Sequence, residues 1–335
     1  MNPRMIEIMK SARVILELNA KPGDKILIIT DTRMDPDVWG AMAAAANELG
    51  VEATVAMMTP REAHGYDPTT PIMSAARDPD LKICIYLTST ALAHSAMSAE
   101  ILKLGKGMIL MEEVSPEMLL QGGPIAVDYA AMNEIGEKVA ELLTKGKRIR
   151  VQSKMGTDLT ASIEGRGAMV ETGKIRPLPH MAGTSGGGGC AFPSGEVNVC
   201  PLEGTGEGTV VFDTTAHSVG ALKEPIRLTV EKGMVTKIEG GVEAAKWREI
   251  LEKYGDPNSY NCPAEIAIGL NPNVTLTGSM RTDKKLYGAC HIGVGDTIVL
   301  GGTCKAKLRL EGVIREPVIT IDDRVVTEGG KILVD

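Results

Sequence analysis

Between residues 25 and 144, short apolar runs alternate with segments of helix length, and this alternation restricts the first half of the chain more than any other feature. Residues 25–30 (KILIIT), 51–57, 81–87 (LKICIYL) and 107–111 read as buried strands. Residues 35–49, 71–77, 95–104 and 129–144 have the length and composition of helices. The first of these ends at Gly50, a residue that accepts the left-handed conformation common just past a helix. Strand–helix alternation predicts a Rossmann-like parallel sheet flanked by helices, whose ligands gather at the C-terminal ends of the strands. No GxGxxG or GxxxxGK[ST] pattern follows any of these strands, so a nucleotide site has no support.

The texture changes near Lys147. Beyond it strands dominate, at 148–152, 159–164, 196–200, 209–213, 226–231, 297–300, 306–311 and 318–321. Hairpins are expected around Lys232-Gly233 and Asp322-Asp323, and one clear helix, 242–254, interrupts. A chain of 335 residues exceeds one ordinary core. The reading is therefore an α/β fold in two domains, a doubly wound domain over 1–147 and a β-rich α+β domain over 148–335 that carries the site. The glycine-rich run 183–189 (GTSGGGG) cannot pack and is expected to be a mobile or ligand-approaching loop.

A net charge of -7 gives the chain no electrostatic reason to seek nucleic acid or anionic lipid. No run of about 18 apolar residues is present to cross a membrane. The first 18 residues carry Arg4, Glu7, Lys10 and Arg13 among apolar positions, which fits an amphipathic helix and not a signal peptide. The expected setting is cytoplasmic, with the six cysteines reduced and none in a CxxC pair. A two-fold homodimer or higher homo-oligomer is the default assembly.

Four segments of the second half hold residues suited to chemistry: FPSGEV (192–197), CPAEIAIGLNP (262–272), ACHIGVGD (289–296) and KLRLEG (307–312). Each sets Glu or His among small residues beside an apolar strand. Glu196, Glu265 and His291 are types that hold a divalent ion. Such groups are costly in an apolar wall unless paired or metal-bound, although a lone Glu or His is more often simply satisfied by its neighbours.

The order of these motifs is similar to that of the M29 metallo-aminopeptidases, and closer still to a shorter branch that includes 2,5-dihydroxypyridine 5,6-dioxygenase. The likeness extends to KMGTDLTASIEGR (154–166) and to residues 202–213. It implies a metal site on Glu196, Glu265 and His291. The aminopeptidase tyrosine ligand falls on Ile298, and the final His-x-Asp pair falls on Arg309-Leu310-Glu311. Glu311 can still ligate, whereas the guanidinium of Arg309 has no lone pair to offer. The dioxygenase iron triad would fall on Glu265, Arg309 and Glu311, with no His or Asp retained. His94, in a His-Ser pair after the third strand, matches a residue implicated as a base in the dioxygenases.

The resulting expectation is a hydrolase of an amide or peptide C–N bond, acting on a small molecule or short peptide. Water is activated by a metal, Glu196 or Glu265, and Arg309 polarises the carbonyl. The cofactor is one divalent ion per chain (zinc, manganese or iron), or none, with Arg309 as the surrogate cation. The alternatives are a ring-opening enzyme of N-heterocycles and a non-catalytic binding homologue. Cys190, Cys200, Cys262, Cys290 and Cys304 lie beside these segments; a thiolate near Arg309 would have a depressed pKa and nucleophilic character, but the favoured reading is that these cysteines pack as small apolar residues. Cys290 adjoins His291, but neighbouring strand residues point to opposite faces. His180 could approach the site through the glycine loop and Arg166 could anchor a carboxylate or a partner chain, but both are read first as surface groups.

Overall fold

The computed structural model describes residues 3–62, 66–93, 95–177 and 187–334. The chain divides into two compact units, Met1–Val127 with Gly173–Ser194 and Asp128–Thr172 with Gly195–Asp335. The partition differs from a single cut near residue 147, because the chain passes between the units at three points. Two elements account for this. The helix Tyr129–Lys145 buries Met132, Val139 and Leu143 and packs on the strands Met169–Glu171 and Glu196–Val199 of the second unit. The strand Gly188–Ala191 instead pairs in parallel with Gly107–Leu110 and so extends the first unit's sheet.

That sheet runs Glu52–Met58, Lys25–Asp31, Leu81–Leu87, Gly107–Leu110, Gly188–Ala191, Arg176–Pro177. The first five strands are parallel and the last is antiparallel. The run Ile26–Ile29 is fully buried, as a parallel strand covered on both faces requires. Asp35 caps the helix Pro36–Glu48 by accepting from the Asp37 amide, and Ser95 caps Ala96–Lys103 by accepting from the Ser98 amide. The expected glycine-rich loop lies mostly, and His94 and His180 wholly, outside the described residues.

The second unit holds two antiparallel sheets. One runs Gly220–Ala221, Thr215–Ala216, Arg309–Ile314, Cys290–Gly295, Glu265–Gly269, Glu196–Val199, Met169–Glu171. The other has eight strands and runs from Met234–Glu239 to Lys331–Ile332. Both expected hairpins form. Lys232 and Gly233 take φ of 51° and 73°, the left-handed pair that suits a two-residue turn, and Asp322 has φ 53°. Residues 297–300 do not form the expected strand. Ile298–Leu300 is a 3-10 turn, held by Asp296 Oδ1 accepting from the Ile298 amide and closed by left-handed Gly301. Phe212 of the eight-stranded sheet meets Trp247 edge-on, with 5.3 Å between ring centroids, and fills the space left by Gly312 of the other sheet. Among the described residues no helix is long and apolar enough to cross a membrane.

Candidate active site

The seven-stranded sheet sorts its residues by the period-two alternation of strands. Directly opposed residues of antiparallel strands share a face, so register fixes which side chains meet. Glu196 opposes Glu171 on one side and Gly269 on the other. Glu265 opposes Gly293, His291 opposes Ala267, Glu311 opposes Gly293, and Arg309 opposes Gly295. One face thus carries Glu171, Glu196, Glu265, His291, Arg309 and Glu311, separated by Gly and Ala. The other face carries Val197, Ile266, Ile268, Ile292, Val294 and Leu310, all buried. Smallness on the charged face is a steric requirement. A Cβ on Gly293 would lie 3.2 Å from Glu265 Cβ and 3.4 Å from Arg309 Nη2. Gly195, just before Glu196, has φ 123°, and a Cβ there would sit 2.7 Å from Met132 Sδ.

Within this face Glu196, Glu265 and His291 each offer one ligand atom, all within 4.8 Å of one another. His291 Nε2 lies 3.5 Å from Glu265 Oε2 and 3.9 Å from Glu196 Oε2. Among the described residues neither ring nitrogen of the fully buried His291 has a hydrogen-bond partner, and neither does Nδ2 of buried Asn198. Two carboxylates and one imidazole whose nitrogens lack a partner suit one divalent first-row ion.

Three fixed cations are built into the same cluster. Lys285 Nζ lies 2.7 Å from Glu196 Oε2 and 3.3 Å from Glu171 Oε2. Arg309 Nη2 donates to Glu265 Oε2, and its Nε donates to Glu311 Oε1 at 3.1 Å. Lys284 Nζ donates to the other oxygen of Glu311 at 3.0 Å. Burial pushes each carboxyl toward protonation, and the cations decide the outcome. Lys285, Lys284 and His291 outweigh burial at Glu196 and hold it at about 2. Arg309 does the same for Glu265, and Lys284 with Arg309 holds Glu311 well below the usual carboxylate range. At Glu171 burial prevails over Lys285 and the carboxyl is pushed up.

The structure therefore brings Glu196, Glu265 and His291 together and sets Arg309 against them. Glu311 faces Arg309 and Lys284 and stands outside the three-ligand group. Arg166, read as a surface group, is only 15% exposed and donates to Glu203 and to the Gly301 carbonyl. Burial opposes thiolate formation near the site: it raises Cys200 to about 11 and Cys262 to about 12, and Cys290 lies on the far face and is raised further.

Sequence reading passed over Lys284, Lys285, Glu171, Asn198 and His217. The adjacent lysines look like a solvated pair in RTDKKLYG, yet Lys285 is only 3% exposed. His217 follows the short strand Thr215–Ala216. Its Nδ1 accepts from the Glu311 amide at 3.1 Å, and its own amide donates to the Glu311 carbonyl at 2.9 Å. A neutral ring so held carries its proton on Nε2. Burial keeps it neutral by lowering its pKa, with Lys284, His291 and Arg309 reinforcing the shift against Glu311.

The sequence model of a family described as 2,5-dihydroxypyridine 5,6-dioxygenase (NicX) matches residues 7–334. A curated 2,5-dihydroxypyridine 5,6-dioxygenase from Pseudomonas putida (strain KT2440) is 29% identical over 255 residues, covering 72% of this chain and 69% of that protein. The solved 2,5-dihydroxypyridine dioxygenase of Pseudomonas putida KT2440 superposes with a TM-score of 0.81 at 22% identity, over 99% of this chain and 98% of the other. Wild-type AmpT from Thermus thermophilus superposes with a TM-score of 0.71 at 15% identity, over 98% and 99%. These findings overturn the expected C–N hydrolase. The family and the curated relative are dioxygenases, and the aminopeptidase likeness, at 15% identity, is one of fold alone.

Proposed function

Because this chain belongs to the 2,5-dihydroxypyridine 5,6-dioxygenase family, we propose that it is an oxygenase that opens the ring of a small hydroxylated N-heterocycle. The match over residues 7–334 carries this reading, since it runs through every strand that bears a site residue. Glu196, Glu265 and His291 would hold one divalent ion, which when bound supplies redox or Lewis-acid chemistry beside the ring. This ligand set differs from the triad that the resemblance implies, because Arg309 cannot ligate and Glu311 is engaged by two cations.

The protein's own groups would bind and orient the substrate. Ala267, Gly269, Gly293 and Gly295 add little bulk to the charged face, which suits a flat ring. Arg309 and Lys284 present fixed positive charge to a ring oxyanion. Asn198 Nδ2 and His217 Nε2 are hydrogen-bond donors for ring hydroxyl or carbonyl oxygens, and His217 can pass its Nε2 proton to an oxygen that gains charge. His217→Ala is expected to lower turnover about 100-fold. His217→Gln, which keeps a donor near Nε2 but has no proton to pass, is expected to recover substrate binding while turnover stays low.

The test is oxygen uptake with mono- and dihydroxypyridines and their carboxylates, on protein loaded in turn with iron(II), manganese(II) and zinc. The expected result is loss of ring absorbance with one O2 consumed per ring opened. Absence of oxygen uptake across the panel with every metal would refute the proposal.

A further inference from the structure

The candidate metal ligands and the built-in cations use the same atoms. Glu196 Oε2 faces His291 Nε2 and is also the oxygen approached by Lys285 Nζ at 2.7 Å. Glu265 Oε2 faces His291 Nε2 at 3.5 Å and is also the oxygen to which Arg309 Nη2 donates. Lys285 and Glu196 are almost completely buried, at 3% and 2% side-chain exposure, so neither can turn to water without opening the site. The carboxyl groups of Glu171, Glu196, Glu265 and Glu311 face the ammonium groups of Lys284 and Lys285 and the guanidinium of Arg309. The cluster is close to charge balance with no metal present. Among the described residues neither ring nitrogen of buried His291 makes a hydrogen bond, although Nε2 faces both carboxylates, which leaves the ring able to ligate.

Resting on the assignment of Glu196, Glu265 and His291 as the metal site, we propose that Lys285 and Arg309 are intramolecular competitors for it. Their contacts satisfy the carboxyl groups in the metal-free protein, which therefore folds without an ion. An incoming divalent ion must displace each cation from its Oε2 or share that oxygen with it. Its affinity is lowered by the interactions it disrupts, and the position occupied by the Arg309 guanidinium excludes a second ion. Lys285 has a place to go, since Glu171 Oε2 already lies 3.3 Å away. Lys285 is thus a specificity-determining residue of the site, and Arg309 adds this role to its contact with the substrate.

The experiment measures manganese(II) binding to the full chain by equilibrium dialysis with EPR counting, alongside thermal melting. Wild type is compared with Lys285→Met, Lys285→Gln, Arg309→Met and His291→Ala. The expected result is one manganese per wild-type chain, with Lys285→Met and Arg309→Met binding about 10- to 100-fold more tightly. Their metal-free forms melt below wild type, and saturating manganese raises their melting points more than it raises that of wild type. Lys285→Gln keeps a neutral hydrogen-bonding side chain and guards against a packing defect in the Met variant. It too binds more tightly, because the charge and not the packing is what competes. Unchanged or weaker binding in both cation variants, with His291→Ala abolishing binding, overturns the competition and leaves the metal site standing. If no variant binds manganese, both are overturned.

Discussion

Replacing Glu196 by Gln leaves the shape of the site nearly unchanged and removes one charge from a buried ion pair. Lys285 would then keep only Glu171, 3.3 Å away, whose carboxyl is itself pushed up by burial. The size of the loss follows from linkage. Glu196 is held at about 2 in the folded chain, against an ordinary 4.5. That lowering corresponds to about 3 kcal/mol at neutral pH, in line with the cost of breaking a buried pair by removing one partner. The folded-state value is depressed, so the stabilisation is complete above the unfolded value and is lost as pH falls toward about 2. At pH 3 about 1 kcal/mol should remain. The chain's two tryptophans make the measurement local, since Trp39 lies in the first unit and Trp247 in the second. Urea unfolding followed by Trp247 fluorescence in a Trp39→Phe background reports the unit that carries the site. The difference between Glu196→Gln and its parent should be about 3 kcal/mol at pH 7 and about 1 kcal/mol at pH 3. A difference that stays constant between these pH values would refute the claim that the Glu196 charge is held by its cations.

Two further outcomes are expected. Gly312→Ala places a Cβ within 2.5 Å of the Phe212 ring, so it should cost about 1–3 kcal/mol through overpacking, read as a lowered urea midpoint of the Trp247 signal; a parent-like midpoint would contradict the sheet packing. Thiol labelling of the native chain at pH 8 should modify only Cys304, because the other five cysteines are buried, and all six should react after denaturation; a second fast thiol would show that a buried cysteine is accessible.

Much of the architecture could be read from local pattern. The runs KILIIT and LKICIYL mark parallel strands by apolar continuity, and Lys232-Gly233 marks its hairpin by turn chemistry. What local pattern could not supply is pairing over long distance. The strand Gly188–Ala191 pairs with residues 81 positions before it, as 188 − 107 shows, and no composition signal separates it from a loop. The site divides in the same way. Glu196, Glu265 and His291 stand out as polar residues inside apolar, glycine-bearing strands. Lys284 and Lys285 do not, since adjacent lysines after a turn have the sequence appearance of a solvated surface. Only the approach of that turn to the charged face shows that both ammonium groups are consumed by carboxylates. The thiols follow the plainer of their two readings, since Cys200 packs as a small apolar group and its burial outweighs the nearby Arg309 and Arg166.

The interleaving of the two units also constrains how the chain can be made. During synthesis from the N-terminus, the parallel sheet lacks its fifth strand until residue 191 has emerged. By then the helix Tyr129–Lys145 and the strands Arg148–Gln152, Asp158–Ser162 and Met169–Glu171 of the other unit are already outside the ribosome, without the later strands they pair with. Neither half can be completed before the other has begun. A truncation at any single point between residues 128 and 194 therefore leaves one sheet with an unfilled edge, and an expression strategy for either half needs two pieces of chain rejoined by a linker.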